Sequence, residues 1–439
     1  MDKPYRRVIN SWCMYDFANS AFATTIMAAM FPPFYRRLVL ESGAPANAAT
    51  AYWGYTAAVA LLIVAVVAPV LGAIADHTGG KKKYTGFFCG LGVLCTAGFV
   101  LLDTSWTWAS ILFIGGNLGF AGGNIFYESL LPHIAKKNDI DQISTRGFAL
   151  GYVGGGILLI INVAWVMRPH WFGMPGVGFA LKASFLSVAV WWGLFAIPFF
   201  RNVPEPPRFG TPGKNPVRQG FVRLGRTFRE LSRYRQLLLF LVAYWIYNDG
   251  IGTIIKMATA YGDEIGIGVP HMTAALVITQ FVGIPFTFLF GAMAGRIGAK
   301  RCILIALGVY TGISCAGFYM TSALHFYILA FVVGTVQGGS QGLSRSLFGA
   351  MVPPHKSSEF FGFYSTSAKM AGIAGPLLFA VVSQATGTSR LSIVSLIVFF
   401  IVGGVLLCFV DVDEGVAVCR KSALEAGVPV SEVEDSCGP

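Results

Sequence analysis

The sequence predicts an all-α membrane protein of twelve transmembrane helices, built as two pseudo-symmetric six-helix bundles with both termini cytoplasmic. Three observations predict it. Apolar runs of about 20 residues, long enough for a bilayer core of about 30 Å, recur along a chain that is 55% hydrophobic and only 12% charged. Lys and Arg collect on one side of those runs. The two halves of the chain also repeat each other. A soluble chain of this length would carry roughly 25% charged residues.

The runs read as spans at 12–34, 51–74, 84–102, 107–131, 146–166, 179–200, 237–261, 272–295, 302–321, 325–351, 358–384 and 391–411. The start, MDKPYRRVINSW, lacks the apolar core and small-residue cleavage site of a signal peptide, so the first run is expected to stay as a span. With the N-terminus inside, 24 of the 32 Lys and Arg lie on the cytoplasmic side and five outside. Lys256, Arg345 and Lys369 fall within spans. That bias is the positive-inside rule. The formal charge of +11 therefore orients helices, and no nucleic-acid partner is expected. Of eight cysteines, Cys13, Cys89, Cys95, Cys315 and Cys408 lie in spans, Cys302 at a span edge, and Cys419 and Cys437 in the tail. None has metal-ligand spacing, and no structural disulfide is expected.

Domain boundaries follow from polarity. Residues 1–200 form the first bundle, 201–236 a cytoplasmic linker, 237–411 the second bundle and 412–439 a cytoplasmic tail. The linker opens on RNVPEPPRFGTPGKNP, whose prolines cannot continue a helix. In the part that follows, Val217, Phe221, Leu224, Phe228 and Leu231 fall at helical spacing among five arginines, as in a basic amphipathic helix lying on the inner leaflet.

The halves align without gaps at an offset of 219: GAIADHTGGKK (72–82) matches GAMAGRIGAKR (291–301), and Gly122-Gly123 answers Gly338-Gly339. Such duplication suggests a transporter whose halves rock against each other. The loop Gly72-x3-Asp76-x2-Gly79-x-Lys81-Lys82 resembles the signature loop of the major facilitator superfamily. The resemblance implies a cytoplasmic latch favouring the outward-open state. The second copy carries Gly295 in place of Asp76.

Ionisable residues inside a bilayer cost about 2.5–3.5 kcal/mol on insertion scales, so they face cavities or partners. Spans 3, 6, 9 and 12 hold none in their cores, whereas spans 1, 4, 7 and 10 hold Asp16, Glu128, Asp249 with Lys256, and Arg345. That partition matches the superfamily's arrangement, in which the first helix of each three-helix unit lines the cavity. Each set shares a helix face: Asp16 with Asn19, Asn117 with Asn124 and Glu128, and Gln337 with Gln341 and Arg345. Asp16, Glu128 and Arg345 lie near the cytoplasmic ends and are candidates for gating or proton coupling, with Arg345 paired to Glu128 or Asp16. A permanent structural ion pair is the alternative. Asn19, Thr24, Asn117, Asn124, Asn248, Asp249, Gln337 and Gln341 lie deeper and are candidates for substrate contact. Lys369 is a further candidate, facing a substrate carboxylate or countering Asp249. Lys256 can snorkel. His133 and His271 sit at helix ends and read as interfacial, and GYVGGGI (151–157) reads as close helix packing.

Several stretches resemble one branch of the superfamily, the vacuolar amino-acid effluxer-like family with its bacterial members. They are YDFANSAFATTI with FPPFY, YESLLP, ALGYVGGG, YNDGIGTI, GGSQGLSRS, FFGFY and VDEG. The resemblance implies secondary transport of a small polar solute, with amino-acid export the role attributed to fungal members. Proton coupling would use Asp16, Glu128 or Asp249, since desolvation favours the neutral carboxyl. The alternatives are a uniporter for a sugar, organic acid or peptide, and a channel or transport-inactive receptor. No HExxH, Ser-His-Asp set or metal cluster supports an enzyme, and neither cofactor nor metal is expected. A monomer in the lipid bilayer is expected, in a bacterial inner membrane or, for a eukaryotic chain, a vacuolar one.

Overall fold

The computed structural model describes residues 3–43, 80–102, 105–136, 139–206, 231–264, 269–370, 374–386 and 389–430, with isolated positions between. Gly72, Asp76 and Gly79, most of the second predicted span and most of the expected amphipathic helix lie outside the described residues.

The described chain is helical throughout. The first span is α1 (Lys3–Ala21), a nine-residue π-helical stretch (Phe22–Met30) and α2 (Phe31–Glu41). The wide turns have a local cause. The Thr24 hydroxyl donates to the Ser20 carbonyl at 3.1 Å, competing for an acceptor the α-register would use. Downstream, Pro32 and Pro33 carry no N–H, and Phe31 N–H reaches back five residues to the Ile26 carbonyl.

Then come α3 (Lys81–Gly98), α4 (Trp106–Ser129), the short α5 (Leu131–Ile134), α6 (Ile140–Met167) and α7 (Val177–Asn202). The second half holds α8 (Arg235–Glu264), α9 (Val269–Ile297), α10 (Ala299–Phe318), α11 (Ala323–Met351), α12 (Ser357–Met370), α13 (Ala374–Thr386), α14 (Ser389–Ser395), α15 (Ile397–Cys408) and α16 (Val412–Glu425). Nine helices among the described residues are long and apolar enough to cross a membrane. The eleventh predicted span is not one helix. It breaks between α12 and α13, beside Gly372, Gly375 and Pro376.

The chain forms two compact units. The first comprises 1–68, 80–128 and 150–207; the second takes in 129–149 and everything from 208 onward. In the first, α1 and α3 pack on α7, and the rings of Trp12, Tyr15, Tyr127 and Phe199 pack together, Trp12 stacked on Tyr127. A Cβ on Gly92 would sit 2.2 Å from the Trp192 ring, so only glycine admits that indole. In the second, α9 runs along α11 and α8 along α15. Phe240, Tyr244, Phe348, Phe361 and Tyr364 share its core. The segment 129–149, assigned by the sequence to the first bundle, thus packs with the second half.

The repeat is visible in the backbone, one residue out of the sequence register. Gly80 (φ +89°) precedes α3 and Gly298 (φ +86°) precedes α10. Lys82 Nζ donates to the Val203 carbonyl just past α7. Lys300 Nζ donates to the Cys408 and Val410 carbonyls at the end of α15, at 2.8 Å each. Each lysine therefore caps the C-terminus of the last long helix of its half, where carbonyls lack donors and the helix dipole favours a cation. Among the described residues, Gly80 and Lys82 are thus placed like Gly298 and Lys300, at an offset of 218 beside the 219 of the sequence repeat.

One cysteine expectation is corrected. Cys419 in α16 is disulfide-bonded, to a partner outside the described residues, whereas Cys13, Cys89, Cys95, Cys302, Cys315 and Cys408 are free thiols.

Candidate functional site

In the first unit, α1 and α4 bring Asn19 and Asn124 together. Asn19 Nδ2 donates to Asn124 Oδ1 at 2.5 Å, and Asn19 is buried. Asn117, two turns earlier on α4, is 3% exposed, and its Oδ1 has no hydrogen-bond partner among the described residues. Such an orphaned oxygen costs about 1–3 kcal/mol in a dry interior. Asp16 lies one turn below Asn19 and accepts a 2.9 Å hydrogen bond from the Tyr127 hydroxyl. Glu128, the residue after Tyr127, is half-buried. Thr24 Oγ1 donates to Gly155 O at 3.2 Å, so it ties the π-helical stretch to α6. Gly151, Gly154 and Gly155 meet α1 so closely that a Cβ on Gly154 would lie 2.2 Å from the Phe17 carbonyl oxygen.

In the second unit, Asp249 on α8 is 1% exposed. It lies against α13, where a Cβ on Gly375 would meet Thr253 Oγ1 at 2.0 Å and Asp249 Oδ1 at 2.7 Å. Asn248, Gln337 and Gln341 are half-buried. Lys369 lies on α12, and its side chain, like that of Lys256, is outside what is described.

Among the described residues of the second unit, a polar seam joins 129–149 to the C-terminal part of α11 and the first turn of α12. Ser129 and Ser358 hydroxyls pair at 3.0 Å, and His133 Nε2 meets Ser357 Oγ at 3.1 Å. Ser144 Oγ donates to the Gly342 carbonyl at 2.7 Å. Arg345, 1% exposed, donates through Nε to Ser144 Oγ at 2.9 Å and through Nη2 to Ser144 O at 2.8 Å. Its guanidinium lies over the Phe148 ring, 4.3 Å from the centroid. Glycines admit this approach: a Cβ on Gly291 would sit 2.1 Å from Thr145 Oγ1.

The seam is where sequence reasoning missed most. Ser144 and Phe148 hold Arg345. Glu359 and His355, both buried, fall at the start of the eleventh predicted span and in the loop before it, and no sequence pattern singles them out. His133, half-buried, meets Ser357 in this seam. The nearest signal was Ser357-Ser358-Glu359, three polar residues opening an apolar run.

Residues 46–419 match the family described as "Vacuole effluxer Atg22 like". The uncharacterized MFS-type transporter YxiO of Bacillus subtilis (strain 168) is 40% identical over 96% of this chain and 99% of its own. Autophagy-related protein 22 of Coccidioides immitis (strain RS) is 22% identical over 97% of this chain and 82% of its own. Among solved structures, the proton:xylose symporter XylE superposes with a TM-score of 0.68 at 13% identity, covering 93% of this chain and 95% of that one. The E. coli fucose:proton symporter FucP gives 0.70 at 12%, covering 93% and 98%. These likenesses show the fold. The chain is an integral membrane transporter, not an enzyme, and it belongs to the Atg22-like family of the major facilitator superfamily.

Proposed function

We propose that this protein is a secondary active transporter that exports a small polar solute of amino-acid type by alternating access, with protons as the coupling ion. It acts as a monomer in a bacterial plasma membrane. The observation that carries the reading is the seam of the second unit. Hydroxyls, a histidine and a guanidinium hold 129–149 to α11 and α12 through bonds that water replaces at little cost, which suits a contact that must open and close. In this reading Arg345 is the gate residue, with Ser144 and Phe148 as its closed-state partners, and Asp16 and Glu128 are gate residues of the first unit. Asn19, Asn117, Asn124, Asn248, Asp249, Gln337, Gln341 and Lys369 contact the solute, and Thr24 positions the π-helical stretch beside them. Gly72, Asp76, Gly79, Lys81 and Lys82 belong to the conformational loop.

Saturable counterflow of a labelled amino acid in proteoliposomes tests the function. Counterflow with an external chase, accelerated by an imposed pH gradient, is the expected result. Ohmic single-channel currents would support a channel instead. Equal rates with and without the gradient would make the protein a uniporter.

A further inference from the structure

Where α8 meets α13 the two backbones close up at Gly375, since a Cβ there would sit 2.0 Å from Thr253 Oγ1. Toward the start of α8, aromatic rings stand between it and α12 instead. Tyr244 stacks on Tyr364 at 4.4 Å, and Tyr234 packs on Phe360 at 5.1 Å. Beside those rings runs a groove of about 200 Å³, lined by Leu238, Val242 and Trp245 of α8 and by Phe360, Phe363 and Ser367 of α12. It is open, for Val242 is 44% and Trp245 41% exposed. Arg235, Leu238, Val242 and Trp245 recur at helical spacing, so the groove face of α8 begins with an exposed guanidinium. A second cation stands at the same end: Lys356 Nζ lies 5.7 Å from the Tyr234 ring that packs on Phe360. The geometry points to a binding site for an anionic phospholipid of the cytoplasmic leaflet, with one acyl chain in the groove and the phosphate at Arg235 and Lys356.

Length, polarity and charge carry the inference. Arg235 to Trp245 is ten residues, about 15 Å along an α-helix, which is half of a hydrocarbon core of about 30 Å. The groove therefore has the depth of one leaflet. Its walls are apolar except for the Ser367 hydroxyl, and its cations are gathered at one end, which is the polarity of a phospholipid and not of a path for a polar solute. The charge bias of the sequence turns that end to the cytoplasmic side, where anionic lipids attract Lys and Arg near the surface. Arg233, one turn away from Arg235's face, is engaged by Glu425 at 3.1 Å. The site goes beyond the transport reading, yet it touches the same element. The first turn of α12 holds the seam through Ser357 and Ser358, and Phe360 in the next turn lines the groove.

The test needs no solute, so its failure is distinct from a failed transport assay. The full-length protein is placed in phosphatidylcholine nanodiscs, and phosphatidylglycerol brominated on its acyl chains is titrated in. The emission of Trp245 is read as the difference between wild type and Trp245→Phe. Trp245 should be quenched at a lower mole fraction of brominated phosphatidylglycerol than of brominated phosphatidylcholine. Arg235→Gln and Lys356→Gln should each raise the fraction for half-maximal quenching by phosphatidylglycerol about five-fold. Equal quenching by the two lipids means ordinary surrounding lipid and overturns the inference. No quenching by either means that the groove is covered by protein, from this chain or a second copy, and overturns it as well. So does a phosphatidylglycerol preference that both charge variants retain. If Trp245→Phe does not purify as a folded protein, native mass spectrometry of wild type must show phosphatidylglycerol retained over phosphatidylcholine, and Arg235→Gln must lose it; equal retention overturns the inference equally.

Discussion

A buried amide oxygen with no partner among the described residues is a cost the fold carries, and Asn117 carries one. If a solute satisfies it, replacing the amide with an apolar group of similar size trades function for stability. Asn117→Leu is expected to keep or raise the melting temperature in detergent, by up to about 1–3 kcal/mol of relieved desolvation, while losing solute-induced stabilisation. A lowered melting temperature with intact counterflow would show that the amide is structural. Arg345 makes the opposite case, because its guanidinium reaches two acceptors of Ser144 and an aromatic face together. A lysine ammonium cannot reproduce that planar fork. Losing one charge-assisted hydrogen bond costs about 1.5–3 kcal/mol, and 1.4 kcal/mol is about ten-fold in an equilibrium. Arg345→Lys should therefore speed labelling of a cysteine at Ala149 by a membrane-impermeant maleimide about ten-fold or more, in a background lacking native cysteines. Unchanged labelling would make Arg345 a static tie.

Among elements, the clearest pair is the two lysine-capped helix ends. Lys82 serves α7 and Lys300 serves α15, with no shared partner. Each cation at a helix C-terminus contributes about 0.3–1 kcal/mol. Lys82→Met and Lys300→Met should each lower thermal stability by that order, and the double variant should lose the sum; strong non-additivity would mean the two ends communicate. The glycine run on α6 makes a sharper demand. The Phe17 carbonyl oxygen is backbone and cannot swing aside, so Gly154→Ala must push α6 from α1. A loss of about 1–3 kcal/mol is expected, readable as a lower melting temperature. The run was legible in the sequence as a packing surface. The π-helical stretch was not, although its causes are local, because a threonine bonded back to Ser20 and a following proline pair also occur in ordinary α-helix.

For the molecule as a whole, a ligand that binds the folded protein raises its stability by mass action, about 2.7 kcal/mol at a hundred times its dissociation constant. A thermal-shift screen of amino acids, dipeptides, sugars and organic acids should show its shift among the amino acids. No shift among them, with one among the sugars, would overturn the solute class while leaving the transporter intact. The fold was readable beforehand because a bilayer dictates span length and charge bias and the halves repeat in sequence, and the family was readable from the motifs that resemble it. The polar seam was not readable, since it joins residues about two hundred positions apart.

The sequence by itself determined that the chain is a duplicated helical membrane transporter and which helices carry polar faces. Periodicity and hydropathy are local properties, and they survive without knowledge of any partner. Tertiary structure alone decided what those polar faces meet. It set Arg345 on Ser144 and Phe148, gave Asn19 to Asn124, and placed Gly80 and Lys82 like Gly298 and Lys300. It also placed Glu359 out of reach of water. Each depends on which distant backbone arrives within hydrogen-bonding distance, and no local pattern encodes that.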